Sequence, residues 1–216
     1  MKSVLIIGMG HMGRHLAAKL QALGNEVMIV DKNPDVIGAL SDRFTDSSIC
    51  DCTNESAIEA LGVDNFDLCF VTIGEDFQAS LVVTSLLQQH GARMIVSKAK
   101  QKIQADLLRK IGANEIVWPE KEIAEKLAVR YNADNIFDYI PLTAEYSIYE
   151  LPVPAAWVGQ SLTELNVRRK HQVTIIAVKN GVTLNPNVGP DYRFAKDDHL
   201  ILIGQSDRVF KLAAKA

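Results

Sequence analysis

Gly8-Met9-Gly10-His11-Met12-Gly13 spells G-x-G-x-x-G, and Asp31 stands 18 residues beyond the last of these glycines. This spacing suits the phosphates of a nucleotide. The first glycine permits a tight turn, the second lets a pyrophosphate approach the backbone, and the third lets a helix pack closely on a sheet. The free N–H groups at the helix start would then hold phosphate oxygens. Asp31, with Lys32 beside it, would accept hydrogen bonds from a ribose diol, and its charge disfavours a 2′-phosphate. Asp51, Cys52 and Thr53 follow as a second polar group. Asp51 and Thr53 either contact the adenine side of a ligand, with Cys52 between them, or cap the next helix. Gly74 and Glu75 end an apolar run at the start of another helix, and Lys98 follows a later strand, placed either to meet a phosphate or to face water. His11 lies inside the glycine loop, where it either donates to a terminal phosphate or points to solvent.

The elements that must position these residues alternate short β-branched runs with helical periodicity. Strands are expected at Val4 to Ile7, Glu26 to Val30, Ser48 to Cys50, Leu68 to Ile73, Met94 to Ser97 and Glu115 to Trp118. Between them fall helices at Gly13 to Leu23, Asp35 to Phe44, Ser56 to Leu61, Phe77 to His90 and Ile103 to Ile111. Strand runs apolar on both faces, each followed by a helix, predict a parallel sheet with crossover helices. The fold class is therefore α/β, a Rossmann-like doubly wound sheet of six strands. A charged amphipathic helix, Lys121 to Tyr131, leads into the polar Asn132-Ala133-Asp134-Asn135, and the alternation stops. Beyond it lie strands at Ser147 to Val153 and His199 to Ile203, a helix at Leu162 to His171, a hairpin around Asn180-Gly181 and a closing helix at Ser206 to Ala214. The reading is a nucleotide-binding domain over residues 1–138 and a smaller α+β domain over 139–216.

Composition narrows the function. The 216 residues are 48% hydrophobic and 23% charged, with a formal net charge of −3, which is ordinary for a globular chain. The charge is uneven: residues 1–138 carry 14 basic and 19 acidic side chains, residues 139–216 carry 9 and 7. Neither part has the basic footprint of a nucleic-acid binder. No apolar run approaches the roughly 20 residues that span a bilayer, and the start lacks a signal peptide's form, so a cytosolic chain is expected. Three cysteines, Cys50, Cys52 and Cys69, make neither a disulfide framework nor a zinc site; Cys50 and Cys52 read as small side chains at a strand end. No H-x-x-x-H, G-x-S-x-G or P-loop spacing is present.

Taken in order, Ile6 to Gly13, Glu26 to Asp31, Asp51-Cys52-Thr53, Val71 to Ser80 and Lys98-Ala99-Lys100 resemble the RCK proteins, regulators of conductance of potassium. So do Pro119-Glu120-Lys121, Tyr146-Ser147-Ile148, Leu165 to Arg168 and the tail Phe194 to Gly204. Trk- and Ktr-type members are regulatory subunits of bacterial potassium uptake. The resemblance implies an N-terminal nucleotide-binding domain with ATP, ADP or NAD(H) as ligand. It also implies a C-terminal sensing domain, dimers assembled into an octameric ring, and docking on a membrane potassium transporter at the cytoplasmic face. Gly8, Gly10, Gly13, Asp31, Asp51, Thr53 and Lys98 match nucleotide-contacting positions. Glu120 matches a glutamate that helps hold a divalent cation, Mg2+ or Ca2+, at the dimer interface. Arg168, followed by Arg169, matches an arginine that in some members contacts cyclic di-AMP. His11 departs from the pattern, since Ktr-type loops often carry arginine there, and a neutral imidazole is the weaker anion partner. The rival reading is an NAD-dependent oxidoreductase, for which the second domain is small and offers no positioned acid–base set. A nucleotide-sensing transcription factor would need a helix-turn-helix, and none is evident.

Overall fold

A computed structural model describes residues 1–132 and 135–214. The chain divides into two compact units, Met1–Lys121 and Glu122–Ala216. The sequence division at 138/139 counts the crossover helix with the first domain; the contacts group most of that helix with the second unit. The polar stretch after it includes residues 133–134, which lie outside the described residues.

In the first unit, β1 (Ser3–Ile7), β2 (Glu26–Asp31), β3 (Asp46–Ile49), β4 (Leu68–Val71), β5 (Ile95–Lys98) and β6 (Glu115–Val117) form one sheet. They are connected through α1 (His11–Ala22), α2 (Pro34–Gly38), α3 (Glu55–Leu61), α4 (Phe77–Gln89) and α5 (Lys102–Lys110). Every pairing is parallel, and the strand order is β3-β2-β1-β4-β5-β6. The order reverses between β1 and β4, and ligands of open α/β sheets bind outside the strand ends at such a point. Alternate residues of β1 serve two cores, as a sheet covered on both faces requires. Leu5 and Ile7 join Ile58, Val83, Leu87 and Leu108 from α3, α4 and α5. Val4 and Ile6 join Ala17 of α1 and Ile37 of α2.

The helix expected over Asp35 to Phe44 is shorter. It starts at Pro34, whose fixed φ suits a first helical turn, and the Asn33 side chain caps it by accepting from the Asp35 N–H. It ends at Gly38, and a 3-10 turn, Ser41–Arg43, takes over.

The second unit holds α6 (Pro119–Asn132) from Glu122 onward, then β7 (Asp138–Pro141), β8 (Tyr146–Pro152), α7 (Leu162–Leu165), α8 (Val167–His171), β9 (Thr174–Asn180), β10 (Thr183–Asn185), β11 (Asp198–Gln205) and α9 (Ser206–Ala213). Its five strands are antiparallel in the order β10-β9-β11-β8-β7. Strand β7 goes beyond the sequence reading. The hairpin turn is Gly181-Val182, because Asn180 pairs with Thr183, one residue later than expected. The helix expected over Leu162 to His171 is two short helices, broken where Asn166 takes a left-handed φ of 47°. Ser161 and Glu164 form a reciprocal capping box on the first of them. The core gathers Tyr149, Leu151, Trp157, Phe194, Leu200 and Leu202 among others.

Candidate functional site

The glycine loop leaves β1 and turns into α1. Gly8 takes a φ of 96°, a left-handed value that favours glycine. A Cβ on Gly13 would lie 2.2 Å from the Gly8 carbonyl oxygen and 2.8 Å from Thr72 Oγ1. Only a residue without a side chain lets α1 sit this close to the β1 turn. Gly10 is exposed, and a Cβ there would meet no atom within 4 Å. Its openness leaves the backbone approachable from the crevice. Thr72 fastens the loop to the neighbouring strand, its hydroxyl donating to the carbonyls of Ile7 and Gly8.

At the end of β2, Asp31 accepts from the Met9 N–H at 2.7 Å through Oδ2 and from the Asn33 N–H at 2.9 Å through Oδ1. Each carboxylate oxygen keeps acceptor capacity after its one backbone bond. Beyond β3, Asp51 Oδ1 accepts from the Thr53 N–H at 3.0 Å and the Thr53 hydroxyl at 2.7 Å. These bonds hold the Asp51 carboxyl below its ordinary range. Asn54 occupies the N-cap position of α3 without a side-chain capping bond, and the Asp51 carboxylate bonds Thr53 rather than an N–H of the helix. Cys52 is buried, with its sulfur 3.8 Å from that of Cys50, and burial pushes its thiol up.

These residues enclose a cavity of about 270 Å³ at the carboxyl ends of β1 and β4. Gly8, Gly10, Asp31, Lys32, Asp51, Cys52, Thr53, Gly74 and Glu75 all line it. Thr72, Ile73 and Asp76 line it too and were not singled out from sequence. Asp76 caps α4, accepting from the Ala79 N–H at 2.9 Å. A strand's last residues followed by an Asp three positions before a helical N–H were the signal available for it.

Two lysines bracket Gly74. A Cβ built there would lie 3.7 Å from Lys98 Nζ and 3.6 Å from Lys100 Cε. Lys98 Nζ bonds Glu120 at 2.9 Å, and Lys100 Nζ bonds Glu75 at 2.9 Å. Both carboxyls are held below their usual range, chiefly by those lysine bonds. Glu120 is thus engaged with Lys98. Among the described residues the one grouping of three metal-type side chains is Glu55, Glu59 and His90, which does not include it.

Some expected residues lie elsewhere. His11 and Met12 open α1, and His11 is exposed and lines a different cavity from the crevice. Arg168 and Arg169 are exposed on the five-residue α8, in the second unit.

A six-stranded parallel Rossmann-like sheet with a glycine-loop crevice at its switch point, followed by an antiparallel α+β unit, defines a two-unit α/β protein of Rossmann-like class. Residues 4–119 match the TrkA-N domain and residues 146–215 the TrkA-C domain. The chain is 34% identical over 203 residues to the Ktr system potassium uptake protein A of Bacillus subtilis (strain 168), covering 94% of this chain and 91% of that one. It is 33% identical over 203 residues to the Ktr system potassium uptake protein C of the same organism, covering 94% and 92%. Among solved structures, the GsuK RCK domain superposes with a TM-score of 0.70 at 19% identity, over 100% of this chain and 48% of that one. A structure described as the GsuK channel bound to NAD gives a TM-score of 0.69 at 19% identity, over 99% and 39%. The chain spans about half the length of these GsuK chains or less. It belongs to the TrkA-N/TrkA-C family of potassium uptake proteins.

Proposed function

We propose that this chain is a cytosolic regulatory subunit of a potassium uptake system, and that it binds an adenine nucleotide, ATP, ADP or NAD(H), in the crevice of its first unit. The observation that carries the nucleotide reading is the crevice itself. An open Gly10, a free helix start and a backbone-anchored carboxylate at Asp31 converge on one cavity. Within it, the Gly8–Gly13 turn and the N–H groups at the start of α1 take the phosphates. Asp31 takes the ribose hydroxyls. Asp51 and Thr53 stand on the adenine side, and Lys32, Lys98 and Lys100 supply positive charge. A bound phosphate near Gly74 would draw Lys98 from Glu120 and Lys100 from Glu75, coupling occupancy of the crevice to the first turn of α6 and to the loop before α4.

The chain acts on potassium flux through a separate membrane subunit; no helix among the described residues is long and apolar enough to cross a membrane. Control of that subunit requires only that the nucleotide bind two conformations with different affinity. We take the chain to be non-catalytic, because the relatives it matches at 33–34% identity over nearly its whole length are potassium uptake proteins. The chain forms a homodimer that assembles further into an octameric ring; of these steps, the contact with a second copy is supported by α6. Ile123, Leu127 and Tyr131 fall at i, i+4 and i+8 and are 58%, 44% and 76% exposed, an apolar stripe of the kind a second copy covers. A divalent cation at Glu120 would need carboxylates from that second copy, and no step is routed through it. Arg168 and Arg169 are the groups we assign to a dianionic ligand of the second unit, of which cyclic di-AMP is the type.

Isothermal calorimetry of the chain with ATP, ADP, NAD and NADH tests the crevice. Binding of at least one is expected, and failure of all four at millimolar concentration removes the proposal. Copurification with a membrane potassium transporter subunit tests the partner.

A further inference from the structure

A second cavity, of about 260 Å³, lies between α1 and the segment after α2. Four basic side chains line it: His11, Arg14 and His15 from one face of α1, at i, i+3 and i+4, and Arg43 from the end of the 3-10 turn. Leu40 and Phe44 add apolar wall. No residue is shared with the lining of the nucleotide crevice. The Arg14 guanidinium is oriented by its Nε–H, which donates to the Met9 carbonyl at 2.7 Å. That bond leaves the terminal amino groups of the fork to other acceptors. No carboxylate pairs with Arg14, Arg43, His11 or His15 among the described residues, although acidic side chains outnumber basic ones in this unit.

Like charges gathered around one concavity repel, and the repulsion is relieved when an anion is bound. Two guanidinium forks match oxyanions that offer several acceptors in a plane, and imidazole N–H groups add single donors. We infer that this pocket is a second anion site, separate from the nucleotide crevice, that takes a compact oligophosphate. Arg14 and Arg43 are its principal ligands and His15 assists. The inference stands on this pocket alone and does not depend on which nucleotide the crevice takes.

The probe is inorganic pyrophosphate, titrated calorimetrically into the full chain. Wild type should bind it, and Arg14→Gln with Arg43→Gln should weaken binding by about tenfold or more, the loss expected for charge-assisted hydrogen bonds. Arg43→Gln, which lies outside the glycine loop, should bind nucleotide as wild type does, whereas Asp31→Ala should leave pyrophosphate binding at this pocket in place. Equal pyrophosphate affinity in wild type and double variant overturns the inference, as does failure of wild type to bind it at millimolar concentration. Arg43→Gln alone guards against misfolding, since Arg43 is exposed. It should melt at the wild-type temperature and still bind pyrophosphate several-fold more weakly; unchanged affinity in that variant also overturns the inference.

Discussion

Gly13 is the residue whose replacement the structure judges most sharply. An added methyl would lie 2.2 Å from the Gly8 carbonyl oxygen, and α1 would have to withdraw from the sheet. Gly13→Ala should lower stability by about 1–3 kcal/mol, read as a lower urea midpoint, and weaken nucleotide binding with it. Asp31 carries a selectivity prediction. A fixed carboxylate beside a ribose repels a 2′-phosphate, so NADH should bind at least about tenfold more tightly than NADPH; equal calorimetric affinities would remove Asp31 from that role. Asp198 carries a stability prediction. It is buried, and burial raises its carboxyl, but donation from Asn180, the Ala195 N–H and Tyr192 outweighs this and holds it below the ordinary range. Asp198→Ala orphans those donors and should cost about 2–4 kcal/mol at neutral pH. A depressed folded value means the contribution is complete above the unfolded range and is lost as pH falls through the folded one. The gap between wild-type and variant urea midpoints should therefore hold from pH 7 to about pH 5 and narrow as the pH falls below about 4. The glycines and Asp31 were legible in the sequence because spacing alone specifies them. Thr72 was not, because its work is to bond two carbonyls across strands distant in the chain.

Among elements, the six parallel strands were legible because each is a short apolar run with a helix after it. The misreadings share a physical cause. Strand β7 is an edge strand with an Asp at one end and a Pro at the other, and edges tolerate residues that central strands do not. The helix expected over Leu162 to His171 breaks at Asn166, and a left-handed residue leaves no mark on hydrophobic periodicity. Asparagine adopts that conformation more readily than most side chains. Helix α6 was read correctly as amphipathic, yet its apolar stripe stays exposed. If a second copy covers it, Ile123→Glu with Leu127→Glu should convert a dimer or larger species to monomer by light scattering. The fold should be unharmed, since no residue of this helix is buried.

At the scale of the whole molecule, the modest net charge of −3 conceals an acidic first part and a slightly basic second. The two compact units each close their own core, and each also carries one of the chain's two tryptophans. Trp118 stands at the end of the first unit with Lys121 Nζ 5.3 Å from its ring centroid. Trp157 is buried in the second, its ring against His171 and Phe194. Nature has thus wired a separate fluorophore into each half. Trp118→Phe leaves emission that reports the second unit, and Trp157→Phe leaves emission that reports the first unit. Added nucleotide should raise the unfolding midpoint seen by Trp118 more than that seen by Trp157, so intrinsic fluorescence alone can ask how far a ligand's stabilising effect travels along the chain.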